Sequence, residues 1–256
     1  MSLPPRLGIL DWGIGGLGVL RALRRRTRRV PVLYLSDSGF TPYGLLSRSA
    51  LAARVSTLTR QLVIWGATHV VIACNAASTV LDELEASSER AVPLTGVIAP
   101  TLARVPENLR GTLGVLGGAR TIRSGLYARG LAGPGRRIVQ RIAQPLSAHV
   151  EAGSTGGKRC AEDLDRILHP LRSADALVLA CTHYPAISER IQQRAPQALL
   201  IDPAEAVVDQ LLSAARLPSG SAADRIVTTG NARRTRSVAT RAWRFDPGPC
   251  TRVRIA

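Results

Sequence analysis

Two cysteines stand out by type and placement. Cys74 closes the run Val70-Val71-Ile72-Ala73-Cys74-Asn75, and Cys181 closes Leu177-Val178-Leu179-Ala180-Cys181-Thr182, 107 positions later. Each is an apolar segment ending in Ala-Cys before a small polar residue. A thiol with an ordinary pKa of about 8.5 is an acid when protonated and a base when a neighbouring dipole or cation favours its thiolate. Two such groups facing each other across a cleft could work on both faces of one substrate atom.

The elements that must carry them repeat as well. Leu7-Gly8-Ile9-Leu10 is echoed by Leu113-Gly114-Val115-Leu116, and Gly8 to Cys74 spans 66 residues against 67 from Gly114 to Cys181. Matched spacing between matched segments predicts two halves of one architecture. Strand candidates fall at Leu7–Leu10, Val30–Leu35, His69–Ala73, Val92–Ile98, Leu113–Leu116, Arg137–Ile142, Ala176–Ala180 and Ala198–Ile201. Amphipathic stretches lie between them, at Gly16–Arg25, Ser49–Gly66, Ala77–Ser87, Thr121–Leu131, Gly157–Leu171 and Pro185–Arg194. This alternation predicts an α/β protein of two similar lobes, with mostly parallel sheets flanked by helices. Ligands of such sheets bind at the carboxyl ends of strands, where Asp11, Cys74 and Cys181 fall. Pro100 and the start of the second copy put a boundary near Ile98. The chain after about Asp202 has no counterpart in the repeat and is expected to pack back on the first lobe. Residues 1–97 with about 206–256 then make the first lobe, and 98–205 the second.

Composition sets limits. The 256 residues are 45% hydrophobic and 20% charged, as in an ordinary globular protein with ample core. Nothing approaches the roughly 20 apolar residues that span a bilayer. The opening residues carry too short an apolar stretch for a signal peptide, so a cytoplasmic location is expected. Four cysteines do not make a disulfide framework there. The net charge of +16 invites a nucleic-acid partner. Against that, Lys158 is the only lysine, the arginines are dispersed, and 4% aromatics leave little to stack on bases. A nucleic-acid role is therefore not expected. A homodimer is left open.

Several motifs compete with the thiols. Gly13-Ile14-Gly15-Gly16-Leu17-Gly18 satisfies G-x-G-x-x-G between a strand and a helix, with Asp37 lying 19 residues beyond Gly18. That is a dinucleotide-binding pattern. Asp11 and Trp12 at the same junction argue against it, since a carboxylate there would sit close to a pyrophosphate. The alternative is a turn whose backbone N–H groups approach a small anionic substrate. Gly153–Arg159 departs from a P-loop at both ends. Cys74, Cys181 and His183 match no structural zinc spacing, and no metal is expected. Cys160 and Cys250 read as small buried hydrophobes. His69, His149 and His169 read as surface or packing residues.

Taken in order, the motifs resemble glutamate racemases. Leu10-Asp11-Trp12-Gly13-Ile14-Gly15-Gly16-Leu17, Pro42-Tyr43-Gly44, Ala73-Cys74-Asn75-Ala76-Ala77-Ser78 and Ala180-Cys181-Thr182-His183 carry the likeness. Gly96-Val97-Ile98, Thr121-Ile122-Arg123-Ser124, Pro145-Leu146 with Glu151, Leu200-Ile201-Asp202 and Thr228-Thr229-Gly230 extend it over about residues 7–245. The resemblance implies two α/β lobes around a central site. It also implies racemisation of a free amino acid, typically glutamate for the bacterial cell wall, without pyridoxal phosphate or metal. A pyridoxal enzyme would need a Schiff-base lysine, and the sole candidate, Lys158, lies in a glycine-rich stretch. By the same resemblance Cys74 and Cys181 are the two acid/bases, with Asp11 assisting near the first and His183 near the second, and Glu151 matches an auxiliary acidic position. Pro42, Tyr43 and Gly44 would receive the side-chain carboxylate, while Asn75 and Thr182 hold the α-amino-acid group.

Two positions depart from the family pattern. Trp12 stands where serine is usual and Ala76 where threonine is usual, so two hydroxyls are missing from the substrate-binding set. Each lost hydrogen bond to a charged group costs on the order of 1.5–3 kcal/mol. The alternatives are then a paralogue racemising another amino acid, a binding protein on this fold without useful turnover, or the dinucleotide-dependent oxidoreductase.

Overall fold

Two sheets in this computed structural model repeat one strand order. The structure describes residues 3–86, 92–214 and 217–255. Its strands are β1 (Arg6–Asp11), β2 (Val32–Ser36), β3 (Ala67–Ile72), β4 (Leu94–Gly96), β5 (Gly111–Gly117), β6 (Arg136–Ile142), β7 (Ala176–Ala180), β8 (Leu199–Ile201), β9 (Arg225–Thr228) and β10 (Cys250–Arg252). One sheet runs β10-β9-β2-β1-β3-β4 and the other β6-β5-β7-β8. Every ladder is parallel. With β9 and β10 set aside, each sheet reads second-first-third-fourth. The duplicated segments thus occupy equivalent strands, and each cysteine follows the third strand of its half.

The helices are α1 (Leu17–Arg26), α2 (Arg48–Ile64), α3 (Asn75–Ser78), α4 (Leu81–Ala86), α5 (Ile98–Ala103), α6 (Ala119–Ser124), α7 (Leu126–Leu131), α8 (Gln144–Ala152), α9 (Lys158–Leu168), α10 (Ser188–Gln192), α11 (Pro203–Ser213) and α12 (Ala232–Trp243). Their starts follow capping chemistry. Ser47 accepts from the Ala50 N–H ahead of α2, and Asn231 accepts from the Arg234 N–H ahead of α12. Asp202 accepts from the Ala204 N–H ahead of α11, with Pro203 at the first helical position. Three arginines close α1, where the helix dipole favours cations.

Burial explains the uninterrupted apolar strands. The side chains of β1 from Leu7 to Asp11 are all buried, because helices cover both faces of a parallel sheet. One apolar cluster joins the halves, running from Leu7, Leu17 and Leu20 through Trp243 to Leu146, Leu164 and Leu177. Separate clusters cover the outer faces, under α2 in the first sheet and under α5 and α7 in the second. The repeated glycines have a packing reason. A Cβ on Gly8 would stand 3.1 Å from the Ala67 side chain, and one on Gly114 only 2.4 Å from Leu177. Each glycine lets the neighbouring third strand press close.

The structure revises several expectations. The strand expected over Val92–Ile98 is only Leu94–Gly96, and Ile98 already opens α5. The stretch Thr121–Leu131 breaks into α6 and α7 at Gly125, whose φ of +69° ends the first helix. Ala77–Ser87 is likewise two short helices, and its final residue lies outside the described residues. Lys158, in its glycine-rich stretch, is the first residue of α9. Helices α8, α11 and α12 and strands β9 and β10 were not expected from periodicity.

Candidate active site

The carboxyl ends of β1, β3, β5 and β7 converge on a cavity of 610 Å³. In both sheets the strand order reverses at these strands, which is where α/β folds place ligands. Cys74 and Cys181 line this one cavity, with Trp12, Pro42, Tyr43, Gly44, Asn75, Ala76, Glu151, Thr182 and His183. Residues more than a hundred positions apart are thereby brought to one wall. Asp11 is the exception, and is fully buried behind the surface.

Asp11 instead organises the glycine-rich turn. Its Oδ2 accepts from the Gly13 and Gly16 N–H groups at 3.1 and 3.0 Å, and its Oδ1 from the Thr182 hydroxyl at 3.2 Å. The Ile14 N–H is also taken, donating to Glu151 Oε1 at 2.7 Å. These are N–H groups that a pyrophosphate would need. The glycines make room for the opposing half and for the C-terminal helix. A Cβ on Gly13 would fall 1.8 Å from Glu151 Oε1, one on Gly15 2.5 Å from Thr182 Oγ1, and one on Gly18 2.7 Å from the Trp243 ring. Asp37 is equally committed. Itself at zero exposure, it accepts from Tyr43 Oη at 3.0 Å, from Arg54 Nε and Nη2 at 3.0 and 2.9 Å, and from Thr229 Oγ1 at 2.9 Å. No lone pair is left for a ribose. The dinucleotide reading fails on both counts.

The two cysteines have different surroundings. Cys74 sits just ahead of α3, and burial pushes its thiol pKa far up, with the nearby Asp11 charge adding to the rise. Backbone N–H groups of Ala77 and Ala76 oppose this without cancelling it. Cys181 follows β7, and its Sγ lies 3.6 Å from His183 Nδ1. His183 Nε2 donates to Glu151 Oε1 at 2.5 Å. Burial alone would lower the His183 pKa, but hydrogen bonds to Cys181 and Glu151, and their charges, carry it well above the usual histidine value. Burial likewise raises Glu151, yet its bond to His183, the imidazolium charge and the Ile14 N–H bring it below the ordinary carboxylate value. The outcome is an ion pair with a cation against the Cys181 sulfur. Among the described residues no group of three or more His, Cys, Asp or Glu side chains is gathered as metal ligands would be.

The substrate-binding candidates are poised differently. Asn75 Oδ1 accepts from Tyr127 Oη at 2.6 Å, while its Nδ2 is buried without a partner. The Tyr43 ring turns away to Asp37, so this segment faces the cavity mainly with backbone. The Trp12 indole donates to the Phe40 carbonyl at 3.0 Å, which fixes the ring at the cavity wall. Sequence reasoning missed Arg120, whose guanidinium crosses between halves to the Tyr43 carbonyl at 3.1 Å and to the Leu46 carbonyl. It also missed Tyr127 and Arg234, which no local pattern marks. The other histidines are elsewhere: His69 bonds Thr95 Oγ1 at 2.8 Å, and His149 pairs with Asp163 at 3.0 Å.

Residues 7–211 match the model of the Asp/Glu/Hydantoin racemase family. The chain is 32% identical over 209 residues to a glutamate racemase of Limosilactobacillus reuteri, covering 80% of this chain and 78% of that protein. It is 37% identical over 227 residues to a glutamate racemase of Ralstonia pickettii, covering 85% and 80%. The crystal structure of the Francisella tularensis glutamate racemase in complex with D-glutamate superposes with a TM-score of 0.86 at 25% identity, covering 98% of this chain and 97% of that one.

Proposed function

This chain belongs to the Asp/Glu/Hydantoin racemase family, and from that premise we propose that it interconverts L- and D-glutamate by proton transfer between two cysteines, without a cofactor. The observation that carries the reading is that Cys74 and Cys181, ending equivalent strands of the two halves, line the same cavity. One sulfur, as thiolate, takes the α-proton from one face of the amino acid. The carbanion then receives a proton from the other sulfur, as thiol, on the opposite face. Reversal exchanges the roles.

The surroundings support a division of labour. Cys74, half-buried and near the Asp11 charge, rests as the neutral thiol and delivers in one direction. Cys181, with the His183 imidazolium beside it, takes the first proton. Glu151 keeps His183 charged and in place. Asp11 acts at one remove, holding the Gly13–Gly16 turn and the Thr182 hydroxyl. The unpartnered Asn75 Nδ2 is a donor for a substrate carboxylate. Backbone donors of the Pro42–Gly44 segment receive the side-chain carboxylate. D-glutamate made here serves peptidoglycan synthesis in the cytoplasm. Among the described residues no helix is long and apolar enough to cross a membrane.

Trp12 and Ala76 favour a second reading, a racemase of the same mechanism acting on another amino acid. Incubation with each L-amino acid in D₂O, followed by α-deuterium exchange, decides between them. Fastest exchange into glutamate is expected. Faster exchange into a different amino acid would transfer the assignment to that substrate, and no exchange into any would end the racemase reading.

A further inference from the structure

The pair Tyr127–Asn75 joins the two halves at the cavity wall. Asn75 opens α3 after the third strand of the first half, and Tyr127 lies on α7 in the second. The αL bend at Gly125 re-aims the chain between α6 and α7, so that the Tyr127 ring turns fully inward. Its hydroxyl reaches Asn75 Oδ1 at 2.6 Å. A side-chain amide has one accepting and one donating end, and occupying the first fixes the direction of the second. Here the donating end, Nδ2, is buried and unbonded on a residue that lines the cavity. Burial pushes the Tyr127 phenol pKa far up, against the lowering effect of the neighbouring Thr101 hydroxyl, so the phenol stays protonated and donates to Asn75. A buried donor with no acceptor from the protein is matched by a carboxylate oxygen that can take its hydrogen bond.

We propose that Tyr127 is a positioning residue for substrate binding, holding the Asn75 amide so that its NH₂ faces an anionic oxygen of the amino acid. The inference rests on the reading of Asn75 as a substrate-binding residue. Because the holding bond crosses between the halves, it ties the orientation of the binding group to their apposition. Tyr127 touches neither the reacting carbon nor the sulfurs in this scheme. Its removal should therefore weaken binding and leave the chemical step nearly intact.

A double-mutant cycle tests this on the intact chain. Steady-state racemisation of L- and D-glutamate is measured for the parent protein, Tyr127→Phe, Asn75→Ala and the double variant, with thermal melts confirming that each is folded. Tyr127→Phe keeps the ring and its packing and removes only the hydroxyl. The expected result is a KM raised about tenfold with kcat changed less than about threefold, as for a lost ground-state hydrogen bond to a charged group. In the Asn75→Ala background the same change should have no further effect. Effects that multiply in the double variant would show Tyr127 acting independently of Asn75 and overturn the inference, while leaving Asn75 in its role. A parental KM in Tyr127→Phe would overturn it equally. A parental KM in Asn75→Ala would remove the underlying reading together with the inference.

Discussion

His183 Nε2 lies 2.5 Å from Glu151 Oε1, and the other ring nitrogen lies 3.6 Å from the Cys181 sulfur. The histidine is thus a charged bridge between a carboxylate and a thiol. Its side chain is 7% exposed and that of Glu151 22%, so solvent screens the pair weakly. With its pKa raised, the imidazolium is complete below the ordinary histidine value of about 6.5 and is lost only as pH climbs through the raised value. Glutamine at position 151 removes the charge that sustains it. In Glu151→Gln the alkaline limb of the kcat/KM profile should move down toward ordinary histidine titration. An unchanged pH profile would detach Glu151 from the mechanism.

Gly13→Ala should reproduce that phenotype from the other half of the molecule. The added methyl would meet Glu151 Oε1 at 1.8 Å, so the carboxylate must leave both His183 and the Ile14 N–H. The expected signature is the same downward shift of the alkaline limb, with loss of rate at neutral pH. If Gly13→Ala instead retained the parental profile, the turn would have room that its geometry denies.

Cys74→Ser and Cys181→Ser should each abolish racemisation, because an alcohol is a far poorer base than a thiolate at neutral pH. Each variant keeps one thiol and should still remove the proton from one enantiomer. With a substrate bearing a β-leaving group, that one-sided abstraction is read as elimination, and the two variants should prefer opposite enantiomers. Full racemisation by either would sink the two-base assignment.

Trp12 and Ala76 bear on substrate affinity. The Trp12 ring is held at the cavity wall by its bond to the Phe40 carbonyl, and neither residue supplies a side-chain hydroxyl. The double change Trp12→Ser with Ala76→Thr should lower KM for glutamate tenfold or more, on the order of two recovered charged hydrogen bonds. If the unaltered protein already turns glutamate over at about 10⁴ M⁻¹s⁻¹ or better, the two substitutions are tolerated and the correction is unnecessary.

Asp37→Ala addresses the glycine-rich pattern. Asp37 is fully buried and pairs with an Arg54 side chain that is 7% exposed. Removing one partner of a buried, hydrogen-bonded ion pair costs about 3–5 kcal/mol, and the Tyr43 and Thr229 hydroxyls lose their acceptor with it. A large fall in the denaturation midpoint is expected. Saturable NADH binding that Asp37→Ala removed without loss of stability would restore the dinucleotide reading.

The duplicated α/β frame and the two thiols at equivalent strand ends were legible along the chain. Apolar runs, matched spacing and turn residues are local, and a buried parallel strand cannot be written without them. Gly8, Gly114, Cys74 and Cys181 were therefore visible as a register before any fold was known. Strands β9 and β10 were not, since they lie outside the duplicated register and become strands only by joining the edge of the first sheet. Asp11 already argued against a pyrophosphate at the glycine-rich turn, and the folded arrangement completed that choice. The same Gly-Ile-Gly-Gly-Leu-Gly pattern suits a pyrophosphate or a carboxylate, and the choice was made by Asp11 beneath it and by Glu151 arriving from 137 positions away. The bonds His183–Glu151, Tyr127–Asn75 and Asp37–Arg54 belong to the same class. Each joins separate elements, and the direction of a side chain in space leaves no trace in the spacing of residues along the chain.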